Sequence, residues 1–356
     1  MGRTNDCFDC FNIFGWFRML FPVKIRTNRG GAETMDHIFV KSEFAPLKRV
    51  VLAQSEFGFP TKELTGVDFL TEENHELFSG PEVIGKDFSE AFPEQQKAWE
   101  VERKNLQKVL EKHEVEVLLP RKLTSFEKEL GLEYGYSNFF TRDPFFTIGD
   151  LLIEGSLKLP HRRNEILPIR ELLMNESNEN DCLYFSIPKP DISQGIDSEQ
   201  GPFLEGGDVL VLGKTIFAGN SGLASNTRGI EWLRNLVKRF GYKVIEVPLH
   251  PTILHLDCAL SLVKDGLMIV CEEAFLSGIP EQLSHWDRVD VSLAQASRLA
   301  TNGLPINETT YITDPEFIFI GEELEKRGIT VEYVDYQLTR IFGGSFRCST
   351  QPLLRN

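Results

Sequence analysis

Three observations predict an α/β fold assembled from repeated strand-strand-helix-strand units. In three places a helical pattern gives way, through a short break, to a strand rich in β-branched residues: 111–120 (EKHEVEVLLP), 238–249 (KRFGYKVIEVPL) and 325–336 (EKRGITVEYVDY). Gly241 and Gly328 stand in two of those breaks, where the end of a helix calls for a left-handed residue. Between them lie runs such as 145–156 (FFTIGDLLIEGS) and 208–219 (DVLVLGKTIFAG), each with a Gly-containing turn between two apolar strands.

Taken in chain order, the first segment is an extension. Phe11 to Val23 is apolar and aromatic, but Arg18 interrupts it and it falls short of the roughly 20 residues that span a bilayer. Residues 1–34 therefore read as an N-terminal extension capable of weak membrane contact, with Met35 opening the domain proper, 35–356. The Cys7-x-x-Cys10 pair has no second pair and no nearby histidine, which disfavours zinc. Pro93 to about His113 reads as an amphipathic helix around Trp99, Leu106 and Leu110. Ile230 to Phe240 reads as another, carrying Trp232, Leu233, Leu236 and Val237 on one face. Ser177 to Gly201 is polar and Pro-bearing apart from a short LYFSIP strand, and reads as a long crossing loop.

At 356 residues and 41% hydrophobic, the chain is long enough for one large core. Its net charge of −15 disfavours nucleic acid, which demands clustered Lys and Arg, and suits a small cationic ligand. Six scattered cysteines point to a reducing, cytoplasmic setting rather than a disulfide scaffold. A homo-oligomer is left open.

Four segments carry chemistry: FFTRDPFFTIG (139–149), FLEGGDVLVLG (203–213), LHLDCALSLV (254–263) and FGGSFRCSTQPLLR (342–355). Singly, each has an ordinary structural explanation. In this order and spacing they closely resemble the guanidino-group-modifying superfamily of arginine deiminases, dimethylargininases and amidinotransferases. The resemblance runs from about Phe39 to the C-terminus and implies a single-domain, five-bladed, pseudo-symmetric α/β-propeller of the pentein type. It implies Cys348, in the Gly343-Gly344-x-x-x-Cys segment, as nucleophile, and His255 as general acid and base. Glu205 would pair with the histidine or with a guanidino nitrogen. Asp143 and Asp257 would accept hydrogen bonds from the substrate guanidinium, and Asp208 would serve the Gly-Gly turn or the substrate. Arg162, in LPHRRNEI, would grip a substrate carboxylate.

That chemistry is demanding, because resonance leaves the guanidino carbon a weak electrophile. It calls for a thiolate, for paired acceptors that fix a planar cation, and for a proton shuttle. If His-Leu-Asp is a strand, residues 255 and 257 share a face. The expected course runs through a covalent amidino-cysteine without metal or cofactor. Water as second nucleophile makes the enzyme a hydrolase, which the TRDPF and LEGGD wording favours. An amine makes it an amidinotransferase, which SNTRGIEWLRNL (225–236) resembles. A non-catalytic propeller-fold binding protein is a further alternative, against which the complete residue set argues, and an unrelated cysteine hydrolase using Cys348 and His255 on an acyl substrate is another, which has no use for three carboxylates.

Overall fold

The computed structural model describes residues 38–62 and 80–356, and Asp36–Asn356 forms one compact unit. The extension at 1–34, and with it the expected membrane contact, lies outside the described residues.

One unit recurs. An antiparallel hairpin is followed by a third strand that runs parallel to the hairpin's second strand. Phe145–Ile148 and Leu151–Glu154 are joined in this way by Leu183–Ser186. Val209–Leu212 and Thr215–Asn220 are joined by Lys243–Pro248. Leu260–Lys264 and Leu267–Val270 take Asp287–Asp290, and Leu304–Asn307 and Thr310–Thr313 take Thr330–Tyr333. The fifth unit is closed by the two ends of the domain. Thr350–Arg355 pairs antiparallel with Leu47–Leu52, which pairs in turn with the parallel Glu116–Leu118. Phe39–Val40 adds a short parallel strand on the other side of Thr350–Arg355. Five such blades, counted among the described residues, make the expected α/β-propeller.

The sequence explains the unit. The strands Phe145–Ile148 and Leu151–Glu154 are buried on both faces, so they read as continuous apolar runs rather than as alternations. Their turn needs a left-handed residue, and Gly149 supplies it at φ 55°. The third strand is half exposed and more polar, as in Leu183–Ser186 and Thr330–Tyr333. Helices pack beside these sheets. Pro93–Lys112 begins with proline at its first turn and buries Trp99, Leu106 and Leu110. Thr227–Val237 starts at Asn226, whose side chain accepts from Gly229 N, and buries Ile230, Leu233 and Val237. Gly241, at φ 79°, ends the turn that follows.

Two expectations need correction. The crossing loop does not begin at Ser177, because the helix Leu167–Glu179, with a proline in its first turn, runs to Glu179 before the chain extends at Asn180. Nor is His-Leu-Asp a strand. Leu256–Cys258 is a 3₁₀ turn, with only His255 extended ahead of it.

First strands of neighbouring blades touch, Leu260–Lys264 against Leu304–Asn307 and Thr350–Arg355 against Phe145–Ile148. The residues just before the first strands are thereby gathered together, and the candidate site is made of them.

Candidate active site

Each blade contributes from the turn that enters its first strand: Asp143 before Phe145, Glu205 before Val209, His255 and Asp257 before Leu260, Asn302 before Leu304, and Cys348 before Thr350. All six side chains are buried.

The Gly206-Gly207 turn is a steric requirement. A Cβ on Gly206 would lie 1.9 Å from the Arg142 carbonyl oxygen. One on Gly207 would lie 2.7 Å from His255 Cγ and 2.8 Å from Asp143 Oδ1. With hydrogen only at both positions, three blades can close on one another.

His255 Nε2 lies 2.9 Å from Glu205 Oε2, and its Nδ1 lies 3.9 Å from Asp143 Oδ1. Burial alone would lower the imidazole pKa, but the Asp143 charge and the Glu205 hydrogen bond outweigh it and raise the value to about 10. His255 is therefore an imidazolium at neutral pH. Burial also opposes ionisation of Asp143, yet His255 and Arg162 hold its carboxyl below the ordinary range. Asp143 Oδ1 further accepts from Gly207 N at 2.9 Å.

Asp257 lies on the other side of the group. Its Oδ2 accepts from Arg347 Nη1 at 2.8 Å and stands 3.7 Å from Cys348 Sγ, while its Oδ1 stands 3.6 Å from Cys258 Sγ. Burial, then the charges of Asp257 and Asp143, push the Cys348 thiol well above its usual range, with Arg347 opposing. In the free protein the sulfur is a thiol, and an arriving cation is what would favour its ionisation.

Asp208 is buried and serves the Gly-Gly turn. Its Oδ1 accepts from Leu256 N at 2.9 Å, tying the Gly-Gly turn to the His255 turn, and burial lifts its pKa to about 7. Arg162 is placed differently from the expectation of a carboxylate grip. Its Nη2 donates to Asp143 Oδ2 at 2.9 Å and to Glu165 Oε2 at 2.8 Å, its Nε to Glu165 Oε1 at 2.9 Å, and its Nη1 to Glu205 Oε2 at 3.4 Å. Every nitrogen of the guanidinium is engaged by protein carboxylate.

Asp143, Glu205 and His255 bring ligand atoms within 4.8 Å of one another, close enough for a metal ion. Here the cation against both carboxylates is the Arg162 guanidinium.

Sequence reasoning missed four participants. Arg347 bridges Asp257 to Glu43, at 3.1 and 3.2 Å, and Glu43 is held at about 2 despite its burial because Arg347 and Arg142 face it. Asn302 accepts from Cys348 N at 3.3 Å and donates to Asp257 O at 3.3 Å. Glu165 backs Arg162, and burial lifts it to about 7. Asn302 could have been found as the residue two before its blade's first strand, the position Asp143 and Cys348 occupy in theirs.

Residues 83–355 match the family described as N,N dimethylarginine dimethylhydrolase, eukaryotic. The chain belongs to this family. The chain is 28% identical over 219 residues to an uncharacterized protein, YkgA, of Bacillus subtilis, covering 61% of this chain and 69% of the relative. It is 25% identical over 250 residues to a putative inosamine-phosphate amidinotransferase of Streptomyces griseus, covering 62% and 69%. Its fold is similar to the saxitoxin-pathway amidinotransferase of Microseira wollei, with a TM-score of 0.74, 20% identity and 90% and 98% of the two chains covered. It is also similar to DDAH from Pseudomonas aeruginosa in complex with citrulline, with a TM-score of 0.61, 18% identity and 86% and 99% covered. The chain thus belongs to the guanidino-modifying pentein superfamily and shares the fold of these amidinotransferase and DDAH structures.

Proposed function

We propose that this member of the dimethylarginine dimethylhydrolase family hydrolyses the guanidino group of arginine or an arginine-like compound through an amidino-cysteine at Cys348. One observation carries the reading. The carboxylates beside the thiol are arranged to accept guanidinium, and each already holds one: Arg162 on Asp143 and Glu205, and Arg347 on Asp257. A substrate guanidinium entering between Asp143 and Asp257 exchanges against like chemistry.

In this scheme the substrate cation offsets the negative charges that hold Cys348 protonated, the thiol gives its proton to solvent, and the thiolate attacks the guanidino carbon. His255, already an imidazolium, gives its proton to the departing nitrogen, and the C–N bond breaks to leave the amidino-cysteine. The neutral imidazole, held through Nε2 by Glu205, then takes a proton from water as the water attacks. Collapse releases a ureido product and the thiolate. The segment carrying Arg162 also lines a cavity of about 340 Å³ with Lys158, Arg163, Asp197 and Glu199, a mixed-charge surface matched to the zwitterionic end of an amino acid.

A second reading, amidino transfer to an amine, is favoured by the 25% identity to the Streptomyces griseus amidinotransferase. The two differ only in what enters after the first amine leaves. The test is incubation with arginine and N-methylated arginines in ¹⁸O-labelled water, with and without amine acceptors. Hydrolysis predicts labelled ureido product without any added amine. Product that forms only with an amine, and carries the amidino group on it, overturns hydrolysis in favour of transfer.

A further inference from the structure

Glu165 is a buried carboxylate that the scheme above does not use. It follows Arg162 by three residues, and its own N–H donates to Arg162 O at 3.0 Å, so one tight turn carries both side chains. The two meet fork to fork. Arg162 Nε donates to Glu165 Oε1 at 2.9 Å, and Nη2 donates to Oε2 at 2.8 Å. Ser137 Oγ, on the strand Tyr136–Asn138, donates to Oε1 as well and fixes the carboxylate in place.

Arg162 holds the two site carboxylates less firmly. It makes one bond of 2.9 Å to Asp143 Oδ2 and a stretched one of 3.4 Å to Glu205 Oε2, an oxygen it shares with His255. Those are the oxygens the proposed substrate needs, because Asp143 Oδ1 accepts from Gly207 N and Glu205 Oε1 accepts from Lys158 N, each at 2.9 Å. A second guanidinium on the same two oxygens would set like charges side by side in a buried place, where their repulsion is far stronger than in water. Arg162 therefore gives way when substrate arrives. A guanidinium set loose in the interior without a counter-ion would make that step prohibitive. Glu165 removes the obstacle, since its two bonds to Arg162 are ones the substrate does not contest.

We propose that Glu165 is a positioning residue: it retains Arg162 when a guanidino ligand displaces that arginine from Asp143 and Glu205, and so sets how readily the seat opens. This rests on the guanidino reading above. In the resting protein Arg162 stands in for the substrate cation, and the Arg162–Glu165 pair is the hinge on which it turns aside.

The test reads binding without turnover. In a Cys348→Ala background, titration calorimetry compares the affinity for L-arginine, which brings a cation, with that for L-citrulline, whose ureido end is neutral. Glu165→Gln, Arg162→Met and the double variant are measured beside the background. Without the retaining charge Arg162 clings to Asp143 and Glu205, so Glu165→Gln is expected to bind arginine about tenfold more weakly and citrulline nearly as before. Arg162→Met vacates the seat and is expected to bind arginine about tenfold more tightly, with Glu165→Gln adding little in that background.

Weaker arginine binding in Arg162→Met overturns the inference, as does a loss from Glu165→Gln that is equally large whether or not Arg162 is present. Should Arg162→Met fail to fold, Glu165→Gln decides: a fall in arginine affinity relative to citrulline supports the inference, and equal effects on the two ligands overturn it. Arginine affinity that is the same in every variant removes this inference and leaves the guanidino reading standing. Binding of neither ligand to any variant removes both.

Discussion

At the scale of single residues, the buried charges around His255 set the chemistry. Cys348→Ala should reduce turnover at least about a thousandfold with the melting temperature nearly unchanged, since the turn keeps Gly343 and Gly344. Residual activity near wild type would remove the sulfur from the mechanism. Glu205→Gln should cost about a hundredfold in kcat, because the imidazolium loses its charged hydrogen-bond partner and the imidazole its orientation. Stability should also report on His255. Its pKa is raised from 6.5 to about 10 on folding, so its contribution is complete below about 6.5 and drains away as pH rises through about 10. Melting scans across that range should fall more steeply for wild type than for His255→Gln, and parallel slopes would mean that the imidazole is not charged in the folded protein. Asp143, Glu205, His255, Asp257 and Cys348 were each legible in the sequence because their segments have distinctive wording. The engagement of Arg162 was not legible, because an arginine three residues before a glutamate says nothing of which other carboxylates will close on it.

At the scale of elements, the site is a set of entrances to strands. The turns at 205–208 and 255–258 repeat a design in which an extended residue precedes a 3₁₀ turn and its strand, placing Glu205 and His255 at corresponding points of adjacent blades. Gly206 makes that possible, and its Cβ clash is with backbone that cannot step aside. Gly206→Ala should therefore destabilise the protein by about 2–3 kcal/mol in urea unfolding. Gly207→Ala presses on two side chains instead, so kcat should fall well before stability does. Equal losses of stability in the two variants would contradict this division. The hairpins and the helix at 93–112 could be read from periodicity. The 3₁₀ turns could not, since three residues are too few to show a period, and a chain that alternates around His255 imitates a strand. The end of the helix Leu167–Glu179 was hidden for another reason: Ser177 and Asn178 carry turn-like chemistry within a helix held by its buried face at Ile169, Leu173 and Glu176.

For the molecule as a whole, the decisive contact joins its extremes. Repetition along the chain announced the blades, but only the resemblance to a known superfamily indicated five of them and a closed ring. Nothing local in Thr350–Arg355 states that it will lie between Phe39–Val40 and Leu47–Leu52. Arg355 holds that junction, donating to Ala45 O at 2.8 Å and to Pro305 O at 2.6 Å from a side chain that is 1% exposed. Arg355→Met should lower unfolding free energy by about 2–4 kcal/mol, measured by denaturant titration, and a smaller change would show that the strand pairing is sufficient without it. The closing strand begins two residues beyond Cys348, so ring completion and delivery of the sulfur to its carboxylates are one event. Pairings that span nearly a whole chain form late in folding. Recovered turnover after dilution from denaturant thus becomes a clock for the slowest step of assembly, and a chain caught with its circle unfinished is catalytically silent however much helix and sheet it has already made.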